Sequence, residues 1–232
     1  MIYLLKGYTQ PEEAQGVIIL GKSLLEHLNP KYTYHCKEHT LSVKGFVDAY
    51  IEWNRSGKRS LSEPKLTNDD CHALKIAAVF HDLGFLDNSV HNEGIAISYA
   101  MAAMRDLYKG IPAFEKNADF IRNAVAKYIL TTARYLNPPP DKRQAIILDA
   151  DMVHVGAPDP AEFLMWNKRL RDEYEALDKV YTHKEWLGAQ VAFLSKVKFR
   201  TAYAKEIGMD KNLKANIKAL KDFYKPLIKN AK

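Results

Sequence analysis

The sequence predicts an all-α protein built as a single helical bundle with a C-terminal helical extension. Apolar residues recur at spacings of three and four through nearly every segment, which is the period of an amphipathic helix, and no segment alternates as a strand would. The interruptions at residues 56–64 and 138–140 are polar or proline-rich, and we expect them to be loops. With 232 residues and ordinary apolar content, the chain can bury one sizeable core without disulfides.

Helices are expected at nine places along the chain, with ends defined to within a few residues. They cover residues 11–28, 38–54, 68–82, 92–109, 115–134, 142–155, 160–178, 183–206 and 210–230. No internal repeat occurs, and no change of composition marks a linker before the basic C-terminal end. We therefore expect one domain over residues 1–232, with the helical extension beginning at residue 157.

The helix over 38–54 is expected to carry a histidine on its inward side. His39, Val43, Phe46 and Tyr50 follow one another at spacings of three and four, so they share one face. His35 lies four residues before His39 and, on one helical turn, would point to the same side. A buried imidazole needs a partner for each nitrogen, which a metal or a charged neighbour supplies.

The helix over 68–82 has signals at both ends. Thr67 and Asp70 have the spacing of a capping box at its start, and Gly84 follows its end. The apolar run KIAAVF leads to His81 and Asp82, which are adjacent and can face one site only if the helix ends there. Adjacent ligands at a helix end can splay around one cation.

Asp151 lies in the apolar stretch IILDADMVHVG of the helix over 142–155, where an unpaired carboxylate would be costly to bury. A cation beside it would offset that cost. Imidazole and carboxylate ligands suit Zn, Mn, Fe or Mg rather than the soft metals. His154 follows three residues later on the same predicted helix face and could approach the site, although it lacks supporting neighbours and is otherwise interpreted as structural.

The net charge of +6 is concentrated at the C-terminal end, where residues 196–232 hold eleven Lys or Arg and three acids. Such a tail suggests an anionic partner, either a small phosphorylated substrate or nucleic acid. The last helix has Lys211, Lys214, Lys218, Lys221, Lys225 and Lys229 opposite Leu213, Ile217, Leu220, Tyr224 and Leu227. A solvated lysine face is favoured over nucleic-acid contact, because few aromatic residues interleave with the lysines.

Cysteine usage and the N-terminal segment predict a soluble, cytoplasmic protein. Cys36 and Cys71 are far apart and share no CxxC spacing, so neither a disulfide framework nor a zinc knuckle is indicated. The apolar opening MIYLL is interrupted by Lys6 before a signal sequence or a membrane span could form. No membrane association is expected, and the oligomeric state stays open.

The ordered set His39, His81-Asp82 and Asp151 resembles the H…HD…D signature of the HD superfamily of metal-dependent phosphohydrolases, in its small bacterial form. His39 stands in a YHxxxHT context, His81-Asp82 closes an apolar helix in AAVFHDLG, and Asp151 follows alanine in DADM. The resemblance covers residues 32–156. It implies the helical HD-domain fold and a divalent metal ion, whether Mn, Mg, Ni, Zn, Fe or Co, bound by these four residues.

Further site residues are implied by the same resemblance. Cyclic-nucleotide phosphodiesterases of the superfamily carry a similar YHxxxH segment in which the first histidine is the general acid, which implies that role for His35. Asp82 would bridge to the metal or orient the attacking water. The VHNEG segment is similar to a His-Glu element of many small bacterial members, which implies that His91 and Glu93 lie near the pocket.

Two departures from the superfamily pattern bear on the metal centre. Ser42 stands where members often have an acid, which predicts one missing contact around the metal ligands and weaker metal binding. The segment ILTTARYL contains Arg134 and no histidine, whereas members with two metals usually add histidines there. A histidine-rich two-metal centre is therefore not expected.

The expected function is hydrolysis of a phosphomonoester or phosphodiester by a metal-activated water, with a histidine as general acid. The substrate would be a small phosphorylated molecule such as a nucleotide. Two alternatives stay open. One is a nucleotide- or metal-binding sensor of the same fold without turnover, and the other, less favoured, is a di-iron oxygenase of this fold.

Overall fold

The computed structural model is all-helical over the residues that it describes, which are 10–87, 91–109, 111, 115–133, 135, 137 and 141–230. The α-helices in these ranges are α1 (Gln10–Leu24), α2 (Lys37–Arg55), α3 (Asn68–Phe80), α4 (Asn92–Tyr108), α5 (Ala118–Thr132), α6 (Lys142–Asp151), α7 (Pro160–Ala176), α8 (His183–Leu194), α9 (Ala202–Glu206) and α10 (Met209–Asn230). Short 3-10 turns cover Leu25–His27 and Leu83–Leu86. No strand occurs among these residues, which confirms the predicted all-α class.

Helix α3 lies at the centre of the bundle and contacts α1, α2, α4, α5 and α6. It is buried on nearly all sides, as expected for a helix that is apolar around its whole circumference. The predicted capping box is present: the Thr67 hydroxyl accepts a hydrogen bond from the Asp70 N–H at 3.1 Å, and the Asp70 carboxylate accepts one from the Thr67 N–H at 2.9 Å. The helix ends at Phe80, so His81 and Asp82 follow it directly, inside the bundle.

The 3-10 turn after α3 packs so tightly against the start of α4 that position 84 requires glycine. A Cβ atom on Gly84 would lie 1.8 Å from the carbonyl oxygen of Asn92. The neighbouring His91 adopts a left-handed backbone conformation with φ 62°, which is uncommon for a residue with a side chain. The turn that carries the histidine–aspartate pair is thus held in place by direct backbone contact.

The predicted helix over 183–206 is wrong in its second half, because the chain leaves the helix after Leu194 and resumes only at α9. The cause is Asp149 of α6, which is fully buried. Its carboxylate accepts hydrogen bonds from the Arg200 N–H at 3.0 Å, from the Thr201 N–H at 2.8 Å and from the Thr201 hydroxyl at 2.8 Å. A continuous helix would have used those N–H groups internally, so it would have left this carboxylate without donors.

The C-terminal helices pack back on the bundle, since α10 contacts α7, α8 and α9. The side-chain amide of Asn216 on α10 donates to the carbonyl oxygens of Val155 and Ala157, each at 3.0 Å. These bonds connect α10 to the turn that follows α6. The extension therefore contacts the part of the chain that immediately follows Asp151.

No helix in the described ranges is long and apolar enough to cross a membrane. Three features used in the sequence-based predictions lie outside the described residues, namely the MIYLL opening, Arg134 and the proline run 138–140.

Candidate metal centre

Four side chains converge at one point between α2, α3 and α6. His39 lies in the first turn of α2, His81 and Asp82 follow the last residue of α3, and Asp151 is the last residue of α6. The Nε2 atom of His39 lies 3.2 Å from Oδ1 of Asp151 and 3.4 Å from Oδ2 of Asp82. The Nε2 atom of His81 lies 3.1 Å from Oδ2 of Asp82 and 3.5 Å from Oδ1 of Asp151. The structure therefore brings together the four residues of the predicted signature.

This spacing fits a single metal ion. Ligand atoms about 2.1 Å from a metal are roughly 3.0 Å apart at right angles and about 3.4 Å apart at the tetrahedral angle. The four nitrogen–oxygen distances of 3.1–3.5 Å lie in that range. His39, His81 and Asp82 form a buried group that can hold a metal ion, and Asp151 Oδ1 lies close to both imidazoles.

Two buried atoms of this cluster lack the hydrogen bonds that buried polar groups normally make. Nε2 of His81 and Oδ2 of Asp82 face each other, yet neither has a hydrogen-bond partner among the described residues. Leaving such groups unpaired is costly in a protein interior. A cation between them would satisfy both atoms, so the residues present fit a metal ion.

The His81 ring is oriented for ligation through Nε2. Its Nδ1 atom lies 3.0 Å from the carbonyl oxygen of Ala78, to which the Nδ1–H group donates. That bond selects the tautomer with the Nε2 lone pair directed at the cluster. The Nδ1 atom of His39 has no comparable partner among the described residues. Ser42, at the position where a missing contact was predicted, donates its hydroxyl hydrogen bond to the Glu38 carbonyl at 3.0 Å and not to His39.

The two carboxylates of the cluster carry the negative charge that metal ligands require, whereas His81 would have to release a proton to bind a metal ion. Burial alone would lower the pKa of His81, but the carboxylates of Asp82 and Asp151 raise it well above its usual value. Burial alone would raise the pKa values of both carboxyl groups, but the neighbouring histidines hold them below their usual range. Asp82 and Asp151 are therefore ionised at neutral pH, as carboxylate ligands must be.

Glu173 of α7, which the sequence did not single out, holds His35 beside the cluster. Its Oε1 atom lies 2.5 Å from Nδ1 of His35, and its Oε2 atom accepts hydrogen bonds from the backbone N–H groups of Tyr34 and His35 at 2.8 and 3.0 Å. The Glu173 side chain is 2% exposed, whereas that of His35 is 26% exposed. Since Nδ1 is occupied, Nε2 is the nitrogen of His35 that can exchange a proton with a ligand.

His35 does not share a helix with His39, contrary to the prediction. Helix α2 begins at Lys37, and His35 precedes its N-cap residue, Cys36. The His35 ring instead stacks on Phe85, with centroids 4.3 Å apart, and lies 6.2 Å from the His39 ring. Burial lowers the pKa of His35, but the carboxylates of Asp82 and Glu173 outweigh it and raise the pKa above its usual value.

His154 contributes to one wall of the site, although not from a helix as predicted. Helix α6 ends at Asp151, so His154 lies in the following turn. Its ring stacks on Trp166 with centroids 3.7 Å apart and lies 5.4 Å from the ring of His39. Burial, with a smaller effect from His39, lowers the pKa of His154 to about 3. His154 is therefore neutral, and we interpret it as a packing partner of His39.

His91 and Glu93 lie at the start of α4, directly before and within its first turn. His91 is exposed, and Glu93 is partly buried. Neither belongs to the described group of ligand atoms that lie within 4.8 Å of one another. Their predicted place near the pocket therefore stays a prediction, while the backbone contact at Gly84 shows how their segment adjoins the turn after Asp82.

No protein-family model, curated protein or solved structure matches this chain. The features that bear on function are the four converging side chains, the pair of the partly exposed His35 with the buried Glu173, and the sequence motifs that carry them.

Proposed function

We propose that the protein is a metal-dependent phosphohydrolase of the HD type, acting on a phosphomonoester or phosphodiester such as a nucleotide. The observation that carries the proposal is the convergence of two imidazoles and two carboxylates, with ligand atoms 3.1–3.5 Å apart, next to a further histidine paired with a buried carboxylate. The resemblance of the YHxxxHT, FHDLG and DADM segments to the HD signature supports it. A bound divalent metal supplies a nucleophilic water at neutral pH and offsets charge on the phosphoryl group.

The residues divide into two sets by their contacts. His39, His81, Asp82 and Asp151 would hold the metal ion, because their ligand atoms meet at one point. Asp82 has the additional role of orienting the attacking water through its carboxylate. The Asp151 side chain keeps 16% of its surface exposed, more than the other three, so substrate would enter on its side of the cluster.

His35 would act as the general acid. The Nδ1–H group donates to Glu173, and the carboxylate favours the protonated imidazole, so the Nε2–H group can give its proton to the leaving oxygen. Proton donation of this kind contributes typically about a hundredfold to ten-thousandfold to the rate. The deprotonated imidazole would then be reprotonated from solvent, to which His35 is partly exposed.

The test is metal analysis of the purified protein, followed by hydrolysis of p-nitrophenyl phosphate and bis-p-nitrophenyl phosphate with Mn, Mg, Ni, Co, Zn or Fe. We expect metal-dependent release of p-nitrophenol from at least one of the two esters. Bound metal without hydrolysis of these esters or of a nucleotide panel would overturn the proposal in favour of a sensor. Bound iron with consumption of dioxygen would instead indicate an oxygenase.

Three variants separate the two sets of residues. His39→Ala and Asp151→Asn should lose both metal and activity, whereas His35→Ala should keep the metal and lose about a hundredfold or more in kcat. His27→Ala is the matched control, because His27 is exposed and lies in the 3-10 turn after α1, so it should change neither. Full activity in His35→Ala would refute the general-acid role.

A further inference from the structure

The helix α10 carries an exposed stripe of lysines, which we call the lysine stripe. It consists of Lys211, Lys214, Lys218, Lys221, Lys225 and Lys229, and all six are exposed. At 100° per residue these positions fall within about 80° of the helix circumference, and at 1.5 Å per residue they span about 27 Å along its axis. The six lysines therefore lie along one face of the helix with about one charge per helical turn, and Pro226 lies inside the helix between the last two of them.

The lysine stripe forms no ion pair with the described part of the chain. No carboxylate in the described ranges lies within 4 Å of any of its six ammonium groups. On other helices the lysine's neighbour four residues away is an acid that pairs with it, as in Lys44–Asp48 and Lys168–Asp172. In the lysine stripe each lysine has another lysine three or four residues away, and like charges at this spacing repel. The acids of the helix, Asp210 and Asp222, lie four residues from Lys214 and Lys218 but form no ion pair with them within 4 Å.

The stripe is held rigidly, because the opposite face of α10 is packed against the bundle. Leu213, Leu220 and Tyr224 are buried there, and the Asn216 amide donates to two backbone carbonyl groups of the turn after α6. The apolar face is therefore not available for insertion into a lipid bilayer, as an interfacial membrane helix would require. A row of charges held on one face of a packed helix matches a polyanion with regularly spaced charges.

We propose that the lysine stripe binds the phosphate backbone of double-stranded nucleic acid without sequence preference. A duplex presents about one negative charge per 1.7 Å of its axis, so a row about 27 Å long can meet several phosphates at once. Stacking on exposed bases is not favoured, because the stripe contains no aromatic side chain. The proposal is independent of the hydrolytic function proposed above and concerns a different surface.

The test is fluorescence anisotropy of the full chain with a labelled 20-base-pair duplex of mixed sequence, titrated between 50 and 200 mM KCl. If all six lysines contact phosphates, affinity should fall by about a thousandfold over this range. The triple variant Lys214→Gln/Lys218→Gln/Lys221→Gln should bind more weakly, with a salt slope smaller by about 2.7. It should fold normally, because it removes only exposed side chains that form no ion pair within 4 Å with the described residues.

The matched control is Lys58→Gln/Lys65→Gln/Lys127→Gln, which removes three exposed lysines elsewhere and changes the net charge equally. We expect its affinity and salt slope to be close to those of the unmodified chain. Equal weakening of both triple variants would overturn the proposal, since binding would then follow net charge alone. Stripe-dependent binding to vesicles containing phosphatidylserine, without duplex binding, would overturn it in favour of a membrane surface.

Discussion

Glu173→Gln tests whether the buried carboxylate on α7 prepares His35 for catalysis. The substitution keeps the size of the side chain, and its amide oxygen can still accept from the backbone N–H groups of Tyr34 and His35. The amide nitrogen, however, would face Nδ1 of His35, where it can only donate. The imidazole would then hold its proton on Nε2 in the neutral form and lose its negatively charged partner.

The expected effect can be bounded from the bond that is lost. A hydrogen bond to a charged group contributes about 1.5–3 kcal/mol, which corresponds to a decrease of roughly 10-fold to 150-fold in kcat. The decrease should not exceed that of His35→Ala, because Glu173 acts only through His35. Since Glu173 helps to raise the pKa of His35, its removal should also move the alkaline limb of the kcat profile to lower pH.

The assay is kcat against pH with the best ester substrate, together with metal content for each variant. Glu175→Gln is the matched control, since Glu175 lies on the same helix and pairs with Arg171 at the surface. It should leave rate, profile and metal unchanged. Unmodified kcat and an unshifted profile in Glu173→Gln would refute the reasoning, and so would loss of metal in parallel with activity, which would show a purely structural role.

Three further perturbations address the fold. Asp149→Asn should lower the free energy of unfolding in urea by about 1–3 kcal/mol, because the buried carboxylate accepts three hydrogen bonds from the segment before α9, and an unchanged midpoint would argue against that anchor. Gly84→Ala should cost about 3 kcal/mol by thermal unfolding, since its Cβ would overlap a backbone carbonyl of α4, whereas Gly45→Ala, where a Cβ meets nothing within 4 Å, should not destabilise. Burial and Lys75 lower the pKa of His72 to about 4, below the 6.5 of an unperturbed histidine. The free energy of unfolding should therefore be unaffected by this histidine above pH 6.5 and should fall as the pH is lowered towards 4, by at most roughly 3 kcal/mol. In His72→Gln this decrease of the free energy of unfolding with falling pH should be smaller.

Most of the helices could be predicted from signals close in sequence, and the wrongly predicted helix over 183–206 is explained by a contact between residues far apart in sequence. The helical period and the Thr67 capping signal predicted α3 and its start, and Gly84 predicted its end, because these signals depend on residues close in sequence. The break after Leu194 was missed because nothing in residues 195–201 forbids a helix by itself. The backbone N–H groups of that segment donate to the carboxylate of Asp149, which lies about fifty positions earlier in the sequence. This contact can be recognised only in the three-dimensional structure.

The candidate site also contains residues that the sequence predicts and one that only the structure shows. His39, His81, Asp82 and Asp151 could be named from residue type and context, since buried imidazoles and carboxylates in apolar surroundings need a partner. Glu173 could not, because it stands among other acids on an ordinary polar helix and only its contact with His35 distinguishes it.

The separation of Glu173 from the four signature residues has a consequence during synthesis of the chain. All four residues of the cluster have left the peptidyl-transferase centre once Asp151 is made, whereas the partner of His35 follows 22 residues later. At about 5–20 residues per second, the ribosome would take roughly 1–4 s to add it. The carboxylate partner of the proposed acid, and after it the Arg200 and Thr201 groups that bind Asp149 on the helix of Asp151, would thus be the last parts of the proposed site to be made.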